Sequence, residues 1–286
     1  MIISHINGGL GNQLFQYAAG RTLALRLGMP LALDLRHYEG DVLHGFGLSH
    51  FNAQFCVAAQ EDLPPNRQKS PFSYLLWRGL RLSPRLFRES ELGYNEAFTT
   101  LSTAVYLKGY WQSERYFRDY AATIRADLQI VTPPDAENQR VLNELQDVHS
   151  VSVHIRRGDY VLDAATNATH GTCTLDYYIK ATRLIAERTG KEPVVYAFSD
   201  DPDWVAENLK LPFEMRLMRH NNTTKNHEDL RLMSACRHNI IANSSFSWWG
   251  TWLNPSPDKI VVAPKKWFAK PDMHNPDILP VGWIRM

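Results

Sequence analysis

The sequence predicts an α/β protein of two domains built on parallel sheets, and three stretches carry that prediction. The first is at the start. An apolar run over 2–6 ends in Asn7-Gly8-Gly9-Leu10-Gly11-Asn12, an apolar stripe at helical spacing follows over 13–27, and 31–34 is apolar again. Strand, glycine loop, helix and strand open a βαβ unit. The second is VSVHIRRGDY at 151–160, where Val151, Val153 and Ile155 alternate with Ser152, His154 and Arg156, the period of a strand. The third is the apolar run 194–198, which breaks at Ser199-Asp200-Asp201-Pro202. Acids at the carboxyl end of a parallel strand lie where α/β sheets bind ligands. The chain is long enough for two ordinary domains, expected at 1–148 and 149–286.

Composition narrows the function classes. An apolar fraction of 44% and a charged fraction of 21% are those of a globular protein. A formal net charge of +1 argues against a general nucleic-acid binder, which needs a basic patch, so any anion site is local. Cys56, Cys173 and Cys236 are odd in number and lack metal spacing, as expected of reduced thiols in a cytosol. The start MIISHINGG has no basic region ahead of an apolar core, and no signal peptide or membrane span is expected. The Asn-x-Ser/Thr triplets at Asn167, Asn221, Asn222 and Asn243 are then expected to be unmodified.

In chain order, the glycines at 8, 9 and 11 let backbone approach a ligand and aim N–H groups from a helix start; the bland alternative is a tight turn. The same loop feeds a rival reading. Gly9 and Gly11 fit the first two positions of a dinucleotide fingerprint and Asp34 sits at the distance of its ribose-binding acid, but Leu14 stands where the third glycine belongs. Between 37 and 106 the signal is poor, broken by Pro64-Pro65 and Ser70-Pro71, with a basic, aromatic stretch over 77–88. A strand is expected at 103–109, then Tyr110-Trp111-Gln112-Ser113, Ser113 capping a helix that runs to 128. Thr132-Pro133-Pro134 breaks the chain, and a helix over 136–145 leads to the strand at 151.

That strand ends in two adjacent guanidinium groups, which are costly to hold beside apolar residues without an anion. Asp159 can balance one. The other is left for a ligand, and the planar fork of arginine suits phosphate or carboxylate. The alternative is an ion-pair knot that closes the strand. A loop is expected over 160–171, a helix over 176–189, and N-capping as a second role for Asp200 and Asp201. A helix over 228–234 carries Asp229, either as a first-turn partner of the helix dipole or as a ligand acceptor. After the strand at 238–242 comes Asn243-Ser244-Ser245-Phe246-Ser247-Trp248-Trp249-Gly250, a helix start whose hydroxyls and unpaired N–H groups make an anion cradle. A strand at 260–263 and a proline-rich tail close the chain.

NGGLGNQLFQYAAG, HIRRGDY, FSDD and NSSFSWWGTWL resemble the bacterial α-1,2-fucosyltransferases, glycosyltransferase family 11, within the wider group of GDP-fucose-dependent enzymes that includes the α-1,6- and protein O-fucosyltransferases. The resemblance implies a GT-B fold, two Rossmann-like domains facing across a cleft, with the donor held mainly by the second. It implies that Arg156 grips the donor pyrophosphate, that His154 lines the nucleotide pocket, and that Arg157 and Asp159 shape the motif. It places Asn243, Ser244, Ser245 and Ser247 near the phosphates, and Asp229 at the guanine or ribose. Asp200 and Asp201 match an acidic pair, and Gly9, Gly11 and Asn12 a loop that closes on the donor. It implies no metal and no cofactor beyond the donor GDP-fucose.

The reaction so implied is inverting transfer of L-fucose from GDP-fucose to O2 of a terminal β-galactoside, in the synthesis of O-antigen or another surface polysaccharide, by a cytoplasmic bacterial enzyme with a place on the inner membrane surface left open. With no metal, charge growing on the leaving phosphate must meet preorganised donors. The general base is open among Asp159, His154, Asp34 and Glu96, or a phosphate oxygen of the donor. The rival readings are another nucleotide-sugar transferase on the same fold, an NAD-dependent oxidoreductase, and a non-catalytic carbohydrate-binding module.

Overall fold

The computed structural model describes residues 1–40, 45–65, 70–79 and 85–286; the side chains of Arg78, Arg85, Asp159 and Leu162 lie outside the described residues, as do positions 80–84 of the basic, aromatic stretch. The chain forms two compact units, Met1–Val131 and Thr132–Met286. The break falls at the Thr132-Pro133-Pro134 segment, ahead of the boundary expected at 148, because the helix before the central strand of the second unit packs with that unit.

The first unit runs β1 (Ile2–His5), α1 (Leu10–Leu27), β2 (Leu31–Asp34), β3 (Cys56–Val57), α2 (Pro71–Gly79), β4 (Arg85–Arg88), β5 (Val105–Lys108) and α3 (Ala121–Asp127). Its five strands are parallel in the order β3-β2-β1-β5-β4. The expected βαβ opening is present, but α1 starts at Leu10 rather than 13, so Gly11 and Asn12 are first-turn helix residues and only Asn7, Gly8 and Gly9 form the loop. Gly8 has φ +76, and a Cβ there would meet the Asn12 side chain, which is why the turn needs glycine. The helix expected to run from 113 to 128 is instead two short 3₁₀ turns and α3.

The second unit runs α4 (Ala136–Asp147), β6 (Ser150–Ile155), α5 (Gly158–Leu162), α6 (Ala164–His170), α7 (Leu175–Thr189), β7 (Val194–Ser199), α8 (Pro202–Asn208), β8 (Met215–Leu217), α9 (Asn226–Ala235), β9 (His238–Ile240), α10 (Ser245–Trp252), β10 (Val261–Ala263) and β11 (Ile284–Arg285). Its six parallel strands lie in the order β11-β10-β9-β6-β7-β8. Counted within the unit this is the doubly wound order 3-2-1-4-5-6, whose direction of winding reverses between β6 and β9. Two short helices, α5 and α6, fill the stretch expected to be a loop, and the proline-rich tail carries β11.

The alternation along β6 is real, yet every one of its residues is buried, because helices cover both faces of a parallel sheet. Val151, Val153 and Ile155 pack with Tyr178, Ala181 and Ile185 of α7 and Val205 of α8. On the other face the two serines are hydrogen-bonded, Ser150 donating to the Leu145 carbonyl (3.4 Å). Asn239 donates to Ser152 Oγ (2.7 Å) and to the Met233 carbonyl (2.8 Å), and accepts from Asn254 (2.8 Å). Asn239→Ala strands these buried groups and is expected to destabilise the protein by at least about 2 kcal/mol, read from urea unfolding; a loss under about 0.5 kcal/mol would show the network to be dispensable.

Candidate functional site

The carboxyl ends of β6, β7 and β9 meet at the reversal of winding, where open α/β sheets bind ligands. Register assembles the site. Ile155 pairs with Ser199, so Arg156 and Arg157 lie beside Asp200 and Asp201. Arg156 Nη1 reaches Asp200 Oδ2 at 2.9 Å, and Arg157 Nε reaches Asp201 Oδ2 at 3.3 Å. Asp200 Oδ1 also accepts the Arg157 backbone N–H at 2.8 Å. Gly158 permits this approach, since a Cβ there would stand 2.5 Å from Asp200 Oδ2. Asp201 caps α8 by accepting from the Trp204 N–H, the second role expected of it.

The expectation that Asp159 balances one guanidinium falls on a side chain outside the described residues. The expectation that the other arginine is left without a protein carboxylate is corrected: the neighbouring strand end brings Asp200 to Arg156 and Asp201 to Arg157. The Arg156–Asp200 pair is not sealed in, each side chain keeping 23% of its exposure, so a ligand anion can reach it. Two aromatics missed as site residues flank the pair. Arg156 lies 5.4 Å from the Tyr160 ring centroid, and Arg157 3.5 Å from that of Trp204, cation–π distances. Tyr160 ends the HIRRGDY stretch and Trp204 follows the capping Asp201 by three, so both were visible as positions, though not as partners.

From β9, Asn243 is brought to the same edge. The Tyr160 hydroxyl donates to its carbonyl (3.2 Å). Its own amide is committed to the carbonyls of His170, Gly171 and Trp267, a staple for three segments. Ser244 and Ser245 stand at the start of α10, which has no side-chain cap on its first-turn amides. Ser247 turns inward, fully buried and donating to the Ser244 carbonyl (3.3 Å), so the expected cradle has two hydroxyls at its mouth, not three. His154 is buried against the Phe246 ring (5.7 Å). Its Nδ1 has no hydrogen-bond partner among the described residues, and burial pushes its pKa down to about 4, so the ring is neutral at pH 7.

Asp229 belongs to a different cluster of the same unit. It accepts from Asn221 (2.8 Å), which exchanges hydrogen bonds with Asn138 of α4. Burial pushes its carboxyl up to about 6, opposed by the Asn221 hydrogen bond and assisted by Glu228.

Gly9, Gly11 and Asn12 lie in the first unit, at the carboxyl edge of its sheet beside β5. Gln16 joins Asn7 to the Gly109 carbonyl, and Gln112 donates to Asn12 (2.8 Å). Glu89, also missed, accepts the Tyr110 and Trp111 backbone N–H groups (2.7 and 2.9 Å) and holds Trp111 at φ +56. Asp34 is 1% exposed, bonded twice by Arg36, and accepts from the Tyr106 hydroxyl (2.6 Å). It is therefore committed, which removes both the ribose acid of the NAD reading and one candidate base. Glu96 is paired with Arg115 at the surface.

A family model described as Glycosyl transferase family 11 matches residues 92–286. The chain is similar to an alpha-1,2-colitosyltransferase of Escherichia coli, 34% identical over all of this chain and 99% of that one. It is similar to the O-antigen biosynthesis glycosyltransferase WbnK of the same organism, 32% identical over 93% and 94%. With galactoside alpha-(1,2)-fucosyltransferase 1 of Aotus azarae it shares 25% identity over 86% of this chain and 63% of that one. A solved structure of an Arabidopsis thaliana FUT1 mutant in complex with GDP overlays with a TM-score of 0.52 at 13% identity, covering 98% of this chain and 76% of that one, a likeness of fold.

The shifted groups make stability depend on pH in a definite direction. Burial lowers His5, His154 and His238 to about 4. Between about pH 6.5 and 4 the unfolded chain takes up protons that the folded chain refuses, so folding stability falls as pH falls through that window. Asp229 acts oppositely, because its folded form binds a proton below about 6. Urea unfolding across the window is expected to show a net loss that is steeper in Asp229→Asn; a flat profile in both proteins would contradict these assignments.

Proposed function

The chain belongs to glycosyltransferase family 11, and from that premise we propose that it transfers L-fucose from GDP-fucose, with inversion and without a metal, to O2 of a terminal β-galactoside in a surface glycan. The observation that carries the reading is Arg156, an accessible guanidinium at the winding reversal, held by Asp200 over the Tyr160 ring. The GDP held by the Arabidopsis structure supports the donor class. The names of the colitosyl and galactoside fucosyl relatives support the 1,2 linkage, and that of WbnK the O-antigen setting.

In this mechanism the bond from fucose C1 to the β-phosphate oxygen breaks as galactose O2 approaches from the opposite face. Positive charge gathers on the sugar and negative charge on the departing diphosphate. Preorganised donors meet the negative charge at no reorganisation cost: the Arg156 fork, the first-turn amides of α10, and the Ser244 and Ser245 hydroxyls. Asp200 is a positioning residue that aims Arg156, with Arg157 and Asp201 fixing the neighbouring turn. His154 is neutral at pH 7 and free to accept a hydrogen bond, but burial lowers its pKa to about 4 and makes it a weak base. Asp229 binds the guanosine portion. With Asp34 enclosed by Arg36 and Tyr106, the acceptor proton goes to Asp159, to Glu96 or to a donor phosphate oxygen.

The similarity to a colitosyltransferase favours a second reading, in which the donor sugar is colitose, fucose without its 3-hydroxyl. A site built to hydrogen-bond a hydroxyl rejects the analogue lacking it by about 10⁴–10⁵, whereas a site without such a partner discriminates weakly, so a donor series separates the two. With lactose as acceptor and a chelator present, GDP-fucose is expected to yield GDP and a fucosylated trisaccharide. Arg156→Ala is expected to lower the rate by about 10²–10³, and Arg156→Lys to recover little, a point charge being unable to replace the fork. No product from folded protein across several β-galactosides would overturn the acceptor reading, and preference for GDP-colitose or UDP-galactose the donor reading.

A further inference from the structure

The first unit has a ligand edge of its own. Strands β1, β2 and β3 step toward one side of its sheet, and the chain then crosses to β4 and β5 on the other side of β1. The change of direction falls between β1 and β5, and carboxyl ends at such a change are where open α/β sheets take ligands. Register shows what stands there. His5 pairs with Asp34 across β1 and β2, and Lys108 with Arg88 across β5 and β4. Ser4 pairs with Leu107, so His5 and Lys108 are the next residues out on the two strands that flank the change. Asp34, His5, Lys108 and Arg88 therefore form one row across four strand ends, on one face of the sheet.

The row carries unmatched positive charge. Its acids are committed: Asp34 is held by Arg36 and the Tyr106 hydroxyl, and neighbouring Glu89 by the Tyr110 and Trp111 backbone. Burial lowers His5 to about 4 and leaves it neutral at pH 7. Lys108 and Arg88 are both exposed, and neither has an ion pair or side-chain hydrogen bond among the described residues. Partial burial, and the Arg88 charge beside it, hold the Lys108 ammonium below its usual range. Like charges side by side on paired strands are destabilising, and an arriving anion relieves that repulsion.

The proposed transfer has two substrates. The charge of the diphosphate donor meets Arg156 in the second unit, and the hydroxyls of a neutral galactoside do not offset two unmatched cations. We propose that this edge of the first unit, through Lys108 and Arg88, holds an anionic group of the acceptor glycan, the carboxylate of an acidic sugar or a phosphate. Both anions suit an ammonium and a guanidinium set side by side. The site presupposes the proposed transfer, which supplies the acceptor, and adds that acceptor's charge.

The test is acceptor binding to the full-length protein, followed by ligand NMR with GDP saturating, so that Arg156 is occupied. The probes are matched β-galactosides: lactobionate against lactitol, and lactose 1-phosphate against lactose. At least one charged probe is expected to bind about fivefold more tightly than its neutral partner at low salt, the gap closing as salt rises. Tightening by lactobionate alone assigns a sugar carboxylate, and by lactose 1-phosphate alone a phosphate. In Lys108→Gln, Arg88→Gln and the double variant this preference is expected to shrink or vanish; both side chains are exposed, and an unchanged urea midpoint shows that the variants fold. Equal affinity for charged and neutral probes, a preference that the folded variants keep, or a loss of GDP affinity in those variants, which would place the row at the donor, would each overturn the proposal. Binding is read without turnover, so the two readings fail separately. Preference for a charged probe without transfer from GDP-fucose would overturn the reaction and leave the site; transfer without preference would do the reverse.

Discussion

Asp200 is the group on which the second unit's ligand edge depends. One carboxylate accepts from the Arg157 backbone and the Arg156 side chain, and so closes the end of the central strand and aims a guanidinium outward. The contact exists because β6 and β7 run in register to Ser199, and because residue 158 has no Cβ to push the carboxylate away. Two half-buried charges at 2.9 Å contribute little net stability by themselves. Their value is geometric: the pair holds the Arg156 fork in one orientation, and in the proposed mechanism a preorganised fork loses less freedom on meeting a diphosphate.

The same economy recurs deeper in the unit. A central parallel strand with polar residues on one buried face must satisfy them without water. Asn239 does so for β6, and the Asn243 amide ties together the segments that carry His170, Gly171 and Trp267. Neither amide is then left for a ligand. The ligand-facing polarity is confined to the strand ends and the start of α10, which keeps binding chemistry separate from the groups that hold the sheet together.

Much of this was legible in the sequence. The βαβ opening, the parallel strands and the cluster at Arg156 follow from periodicity and from glycines at turns. Where reading failed, the cause was partners distant in sequence. Asp159 is the anion near in sequence, and Asp200 and Asp201, carried to the arginines by the neighbouring strand, are partners that no local pattern announces. Asp34 fitted a fingerprint spacing until Arg36 and Tyr106 enclosed it. Ser247 looked like one of three equal hydroxyls, and helical phase alone turned it inward. The helices α5 and α6, GDYVL and AATNATH, carry no clear apolar stripe for a sequence reading to find.

The central claim is that Arg156 recognises phosphate, not base or sugar. Isothermal calorimetry of GDP and of guanosine on wild type and Arg156→Ala tests it directly. The account predicts that the substitution weakens GDP by about tenfold or more while guanosine affinity stays the same. Equal GDP affinity in the two proteins, or an equal loss for guanosine, would contradict it.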